Sequence, residues 1–121
     1  MNKTITLLAA LLLSLFSACT ADLSGDNTNM VCPSDFSATL IEQLKQKPKQ
    51  TPAAEVTQYT YKGNTVYLVT GGCCDNYNYL FDRCGNVLCA ASGGLSGTGD
   101  GRCADFTAKA TDPVLLWRDP R

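Results

Sequence analysis

The sequence predicts a small α+β domain: one N-terminal helix packed on an antiparallel β-meander, stapled by disulfides. Three observations carry this. One stretch near residue 36 has helical apolar spacing, short β-branched and aromatic runs follow residue 55, and six cysteines lie between positions 32 and 103.

The helix comes first. After Cys32-Pro33, Ser34 suits an N-cap and Asp35 faces the positive end of the helix dipole. Phe36, Leu40, Ile41 and Leu44 then share one face. Pro48 ends the segment, and Lys45, Lys47 and Lys49 suit its negative end. Gln50 to Ala54, with Pro52, reads as a connector.

Strands follow. Val56–Tyr61 and Thr65–Thr70 are rich in β-branched and aromatic residues, and Lys62-Gly63-Asn64 between them reads as a hairpin turn. Tyr77–Phe81 and Asn86–Ala90 are the third and fourth strands, joined across Asp82-Arg83-Cys84-Gly85. The run Gly93-Gly94-Leu95-Ser96-Gly97-Thr98-Gly99-Asp100-Gly101 is too glycine-dense for regular structure and reads as a loop pinned at Cys103. Val114–Arg118 has strand composition and is expected at a sheet edge, with Trp117 inward.

The first 18 residues have a different character. Lys3 precedes an apolar run from Thr4 to Phe16, and small residues Ser17-Ala18 precede Cys19. That is the order of an export signal, and the run is too short to span a bilayer. Leu15-Phe16-Ser17-Ala18-Cys19 resembles the lipobox of bacterial lipoproteins, which implies cleavage before Cys19 and acylation of its thiol. The expected organisation is a signal at residues 1–18, a lipid-bearing Cys19 with a polar tether to residue 31, and one domain over residues 32–121. Several acyl chains at about 0.8 kcal/mol per buried methylene would anchor such a protein firmly. Thr20 stands where an aspartate would retain an enteric lipoprotein at the inner membrane, so the outer membrane is the expected location.

Composition narrows the chemistry. Ten Lys and Arg stand against eleven Asp and Glu, a balance too even to favour nucleic acid. With no histidine, the commonest metal ligand and the commonest general base are missing. Setting Cys19 aside leaves Cys32, Cys73, Cys74, Cys84, Cys89 and Cys103, an even set that reads as up to three disulfides in an exported chain. Their pairing does not follow from spacing. Adjacent Cys73 and Cys74 are expected to bond different partners, because a ring closed between neighbours is sterically demanding. No Cys-x-x-Cys pair suggests redox catalysis, and no zinc site is expected.

The remaining candidates are weaker. In the loop, Gly93, Gly94, Gly97, Gly99, Asp100 and Gly101 form a possible binding element, yet no helix pattern follows to complete a phosphate cradle. Asp100 and Asp105 raise the question of calcium, without the EF-hand order of acids. Asp75, Asp82, Asp100 or a tyrosine would have to carry any catalysis, and acids beside turns are usually caps. Strand alternation places Tyr59 with Tyr61, and Tyr77 with Tyr79, each pair on one face, as core or as an exposed aromatic patch.

Several of these residues also carry a resemblance: Tyr59-Thr60-Tyr61-Lys62-Gly63, Val66-Tyr67, Cys73-Cys74-Asp75, Leu88-Cys89, Gly93-Gly94, Gly97 to Phe106, and the closing Leu116 to Arg121. From about Cys32 to the C-terminus the chain resembles a family of small Gram-negative lipoproteins catalogued only as a domain of unknown function. Ala90-Ala91-Ser92 stands where that pattern would carry a proline. The resemblance implies export and lipidation, and no reaction, cofactor or catalytic residue. The expectation is therefore a monomeric, non-enzymatic binding or structural module, held at the membrane by its N-terminal lipid and meeting a protein or glycan partner in the envelope. The alternative is an inhibitor of a secreted protease or lysozyme, acting through Gly93–Arg102; a rigid loop suits that role because preorganisation lowers the entropy cost of binding.

Overall fold

The computed structural model describes Cys32 and residues 35–121. The signal segment, Cys19, the tether and Ser34 lie outside the described residues. The element order is α1 (Phe36–Lys45), β1 (Glu55–Tyr61), β2 (Asn64–Thr70), β3 (Tyr77–Asp82), β4 (Val87–Gly93), α2 (Phe106–Lys109) and β5 (Thr111–Arg118). The five strands form one sheet in the order β4-β3-β2-β1-β5, every neighbouring pair antiparallel. This is the expected helix and meander, with β5 returning to the free edge of β1.

Local chemistry sets each boundary. The N-cap of α1 is Asp35 rather than the expected Ser34, and its carboxylate accepts from the Ser37 amide at 3.0 Å. Lys62 and Gly63 both take positive φ (50° and 77°), giving a two-residue hairpin turn whose backbone twist matches the strands. The fourth strand runs past the expected Ala90 as far as Gly93, because its last residues pair with the start of β3: Tyr77 opposes Gly93 and Asn78 opposes Ser92.

The sheet is covered on both faces. On one, Leu40 and Leu44 of α1 pack on Val56 and Tyr67, with Phe36, Ile41, Val69, Phe81 and Trp117 around them. Burying each leucine contributes about 1.5–3 kcal/mol, which holds a ten-residue helix too short to persist alone. On the other face Tyr61, Val66, Leu68, Leu80 and Cys89 meet Cys103 and Phe106. This second layer, including α2, was not legible in the sequence. Four residues carry no periodicity; packing of Phe106 between Tyr59 and Tyr61 fixes the turn, at centroid distances of 5.2 and 5.3 Å and near-perpendicular ring planes.

The topology also sorts the loops. The Lys62-Gly63 turn, the β3–β4 turn, Cys32 and the start of α1 share one end of the sheet, the proximal end. The 71–76 loop, the tip of the Gly93–Arg102 loop and the C-terminus share the other, distal end, where the Asp119 amide donates to the Ala54 carbonyl at 2.8 Å.

Candidate functional site

The cysteines resolve first. Cys32 pairs with Cys84 at the proximal end, Cys89 with Cys103 across the second core, and Cys73 with Cys74 in the distal loop. The expectation of different partners for Cys73 and Cys74 is thus corrected. A strand of this length spans about 20 Å, so the distal loop lies far from Cys84, while β4 delivers Cys89 to Cys103.

The carboxylates are mostly committed to the fold. Asp82 organises the β3–β4 turn: its carboxylate accepts from the amides of Cys84 and Asn86 and from the Asn86 side chain, at 2.8–2.9 Å. Burial pushes its pKa up, but these donors outweigh it and hold the group below its ordinary 3.8. Asp100 acts on the outer edge of β4. Its amide donates to the Ala90 carbonyl at 3.1 Å, and its carboxylate accepts from the Ala90 amide at 3.0 Å. The same carboxylate takes the Arg102 amide and guanidinium. The Ala90 and Arg102 amides hold its pKa down at about 2.

Asp105 accepts from the Tyr61 hydroxyl and pairs with Lys62 and Lys109 at 3.4 and 3.2 Å; the tyrosine bond is the main cause of its pKa of about 2. Asp119, buried, is clasped by the Arg121 guanidinium, which in turn donates to the Lys47 carbonyl at 3.0 Å and so ties the tail to the end of α1. That guanidinium is the main cause of Asp119 sitting at about 2.

Asp100 and Asp105, the two acids considered for calcium, serve different partners. Among the described residues no three of Cys, Asp and Glu converge as metal ligands. Asp82 closes β3 at its proximal end and Asp75 lies in the loop before its distal start, so the strand separates the two acids rather than pairing them as a glycosidase requires.

An acid titration follows from Asp100, Asp105 and Asp119. Each has a folded pKa of about 2 against an ordinary 3.8, so its contribution is complete above 3.8 and is lost as pH falls towards 2. The urea midpoint is expected to be flat from pH 7 to 5 and to fall steeply below 4. In Asp119→Asn that fall is shallower, because one of the linked protons is gone.

The tyrosines divide by face. Tyr59 and Tyr61 belong to the Phe106 core, and Tyr67 lies under α1 with its hydroxyl donating to Asp35 at 2.8 Å. Tyr77 and Tyr79, on the α1 face but beyond the helix, are 46% and 42% exposed, with centroids 6.0 Å apart and planes at 57°. Gly94 is buried beneath Tyr77: a Cβ there would strike the ring, and φ is +72°. The loop above is ordered by its own bonds. The Gly97 amide donates to the Gly94 carbonyl and the Gly99 amide to the Gly93 carbonyl, which leaves Leu95 on the turn, 91% exposed. The exposed Cys73-Cys74-Asp75-Asn76 segment adjoins both, since the Asn76 carbonyl accepts from the Gly94 amide at 3.1 Å.

The fold and this distal cluster define a small α+β protein layered on both faces of one sheet, with exposed aromatic and loop residues gathered at one end. The chain belongs to the family described as Domain of unknown function (DUF6970), whose model matches residues 42–119. The match covers the whole sheet and begins within α1, ten residues after the expected start at Cys32. No curated protein and no solved structure matches the chain.

Proposed function

We propose that this protein is an exported, lipid-anchored envelope component that works by binding rather than by turnover, with the distal end as its binding face. One observation supports this above others. Asp82, Asp100, Asp105 and Asp119 are spent on turns, a strand edge and the tail, while Tyr77, Tyr79 and Leu95 stand exposed at the end opposite Cys32. A chain tethered through residues 19–31 to a lipid on Cys19 would present that end away from the membrane.

The test has two parts. The intact mass of membrane-extracted protein should correspond to a chain starting at Cys19 with added acyl mass. A photo-reactive residue replacing Tyr77 should give discrete adducts in the cell envelope, and the same group replacing the equally exposed Val87 at the proximal end should not. Substrate turnover abolished by one carboxylate substitution, or adducts that ignore position, would overturn the reading.

The second reading, blockade of a secreted hydrolase, draws on the Gly93–Arg102 loop. The Cys89–Cys103 disulfide fixes its base and hydrogen bonds fix its turn, so Leu95 is presented with little entropy left to lose. Micromolar inhibition of a protease or lysozyme, lost in Leu95→Asp, would favour it.

A further inference from the structure

We infer that Tyr77 and Tyr79 form a stacking platform for a neutral glycan. This rests on the binding reading above and names its ligand. Three observations lead to the carbohydrate.

The first is preorganisation. Tyr77 and Tyr79 project two residues apart from one strand, in tilted contact with each other. The Tyr77 ring rests against Gly94, which has no side chain to lift it. Their cross-strand neighbours on β4 are Gly93 and Ala90, so nothing bulky rises beside the rings on that side. Rings supported in this way lose little freedom when a flat ligand lies on them.

The second is charge. Neither Asn76–Phe81 nor Asn86–Gly99 contains an Asp, Glu, Lys or Arg. The one charged group in the adjoining exposed segment is the Asp75 carboxylate, so the platform offers no counter-charge to phosphates, nucleic acid or anionic headgroups, and its rings are left to an uncharged ligand. The adjoining segments carry the side-chain amide of Asn76 and the exposed hydroxyl pair of Ser96 and Thr98, groups that suit sugar hydroxyls.

The third is area. An aromatic side chain carries roughly 150–250 Å² of surface, so two tyrosines less than half exposed offer roughly 150–200 Å². A stable protein interface needs about 800 Å² from each partner. Two rings cannot anchor a second copy of the chain, but they cover the apolar face of one or two pyranose rings, whose C–H bonds meet the negative face of an aromatic ring.

The experiment titrates the full-length chain with three neutral tetrasaccharides, of β-1,4-linked N-acetylglucosamine, of β-1,4-linked glucose and of α-1,4-linked glucose. Binding is read calorimetrically and by NMR shifts of Tyr77 and Tyr79. At least one sugar is expected to bind with a Kd of about 1 mM or tighter. Tyr77→Ala and Tyr79→Ala should each weaken it about tenfold, the loss expected from one aromatic contact, while each variant still unfolds cooperatively. Tyr77→Phe keeps the ring and should retain most of the affinity.

Absence of binding to all three sugars overturns the inference, as does affinity indifferent to both alanine substitutions. Self-association that disappears with the tyrosines also overturns it. If the sugars fail while the position-77 adducts persist, the binding module stands and its ligand is not a neutral glycan; if both fail, both readings fall.

Discussion

Replacing Cys32 and Cys84 together by serine is expected to lower the unfolding free energy by roughly 4 kcal/mol, the largest loop-closure effect of any cysteine pair in this chain. The reason lies in the unfolded chain. The bond joins residues 52 apart, so without it the denatured ensemble gains the entropy of a long open loop. The bond also fastens the start of α1 to the β3–β4 turn, where Phe36 meets Phe81 at 5.7 Å. For a domain of this size the loss is a large fraction of total stability. The Cys89–Cys103 bond closes a shorter loop, 14 residues, so Cys89→Ala with Cys103→Ala, which buries no new polar group, should cost roughly 3 kcal/mol. Cys73→Ser with Cys74→Ser frees no loop at all, since the residues are neighbours, and should leave the urea midpoint nearly unchanged. The ranking is checked by denaturant titration of the three double variants. An equal loss in all three would mean that loop closure is not what the bonds supply.

Phe106→Ala should cost about 3–5 kcal/mol, the range for removing a buried phenylalanine. Phe106 is 5% exposed and meets both Tyr59 and Tyr61 edge-on, so its removal opens a cavity under the rings on which α2 depends. Beyond lost stability, the near-ultraviolet tyrosine signal should weaken and amide exchange should accelerate between Cys103 and Ala110. The Cys89–Cys103 bond keeps that segment attached, so it should fray rather than leave. A variant of near-native stability would show that the second core carries little of the fold.

These two predictions mark the boundary between what was legible in the sequence and what was not. Leu40 and Leu44, spaced for a helix face, are the buried apolar residues of α1, and Trp117 turns inward from an edge strand as composition implied. Such features repeat with a period, and period survives in sequence. Phe106 has no periodic neighbours; its role depends on Tyr59 and Tyr61, more than forty positions away. Cysteine pairing is non-local in the same way. For the distal cluster, alternation put Tyr77 beside Tyr79, but which tyrosine pair stays exposed depends on where α1 and α2 end. Asp100 reads with Asp105 as a possible calcium ligand from sequence alone, because its engagement with Ala90 appears only when the loop folds back.

That fold-back has a consequence for molecules that meet one another. A sheet ends in two rows of backbone groups able to recruit another strand, and crowded proteins that leave them open polymerise. On β4 the carboxylate and amide of Asp100 occupy the Ala90 groups, and Thr98 bridges Gly93. On β5 the register slips twice, and Pro113 lacks an amide proton. Neither border of the sheet therefore offers an unbroken row of backbone groups to a strand from another copy, even though Leu115 and Leu116 are uncovered beside one of them.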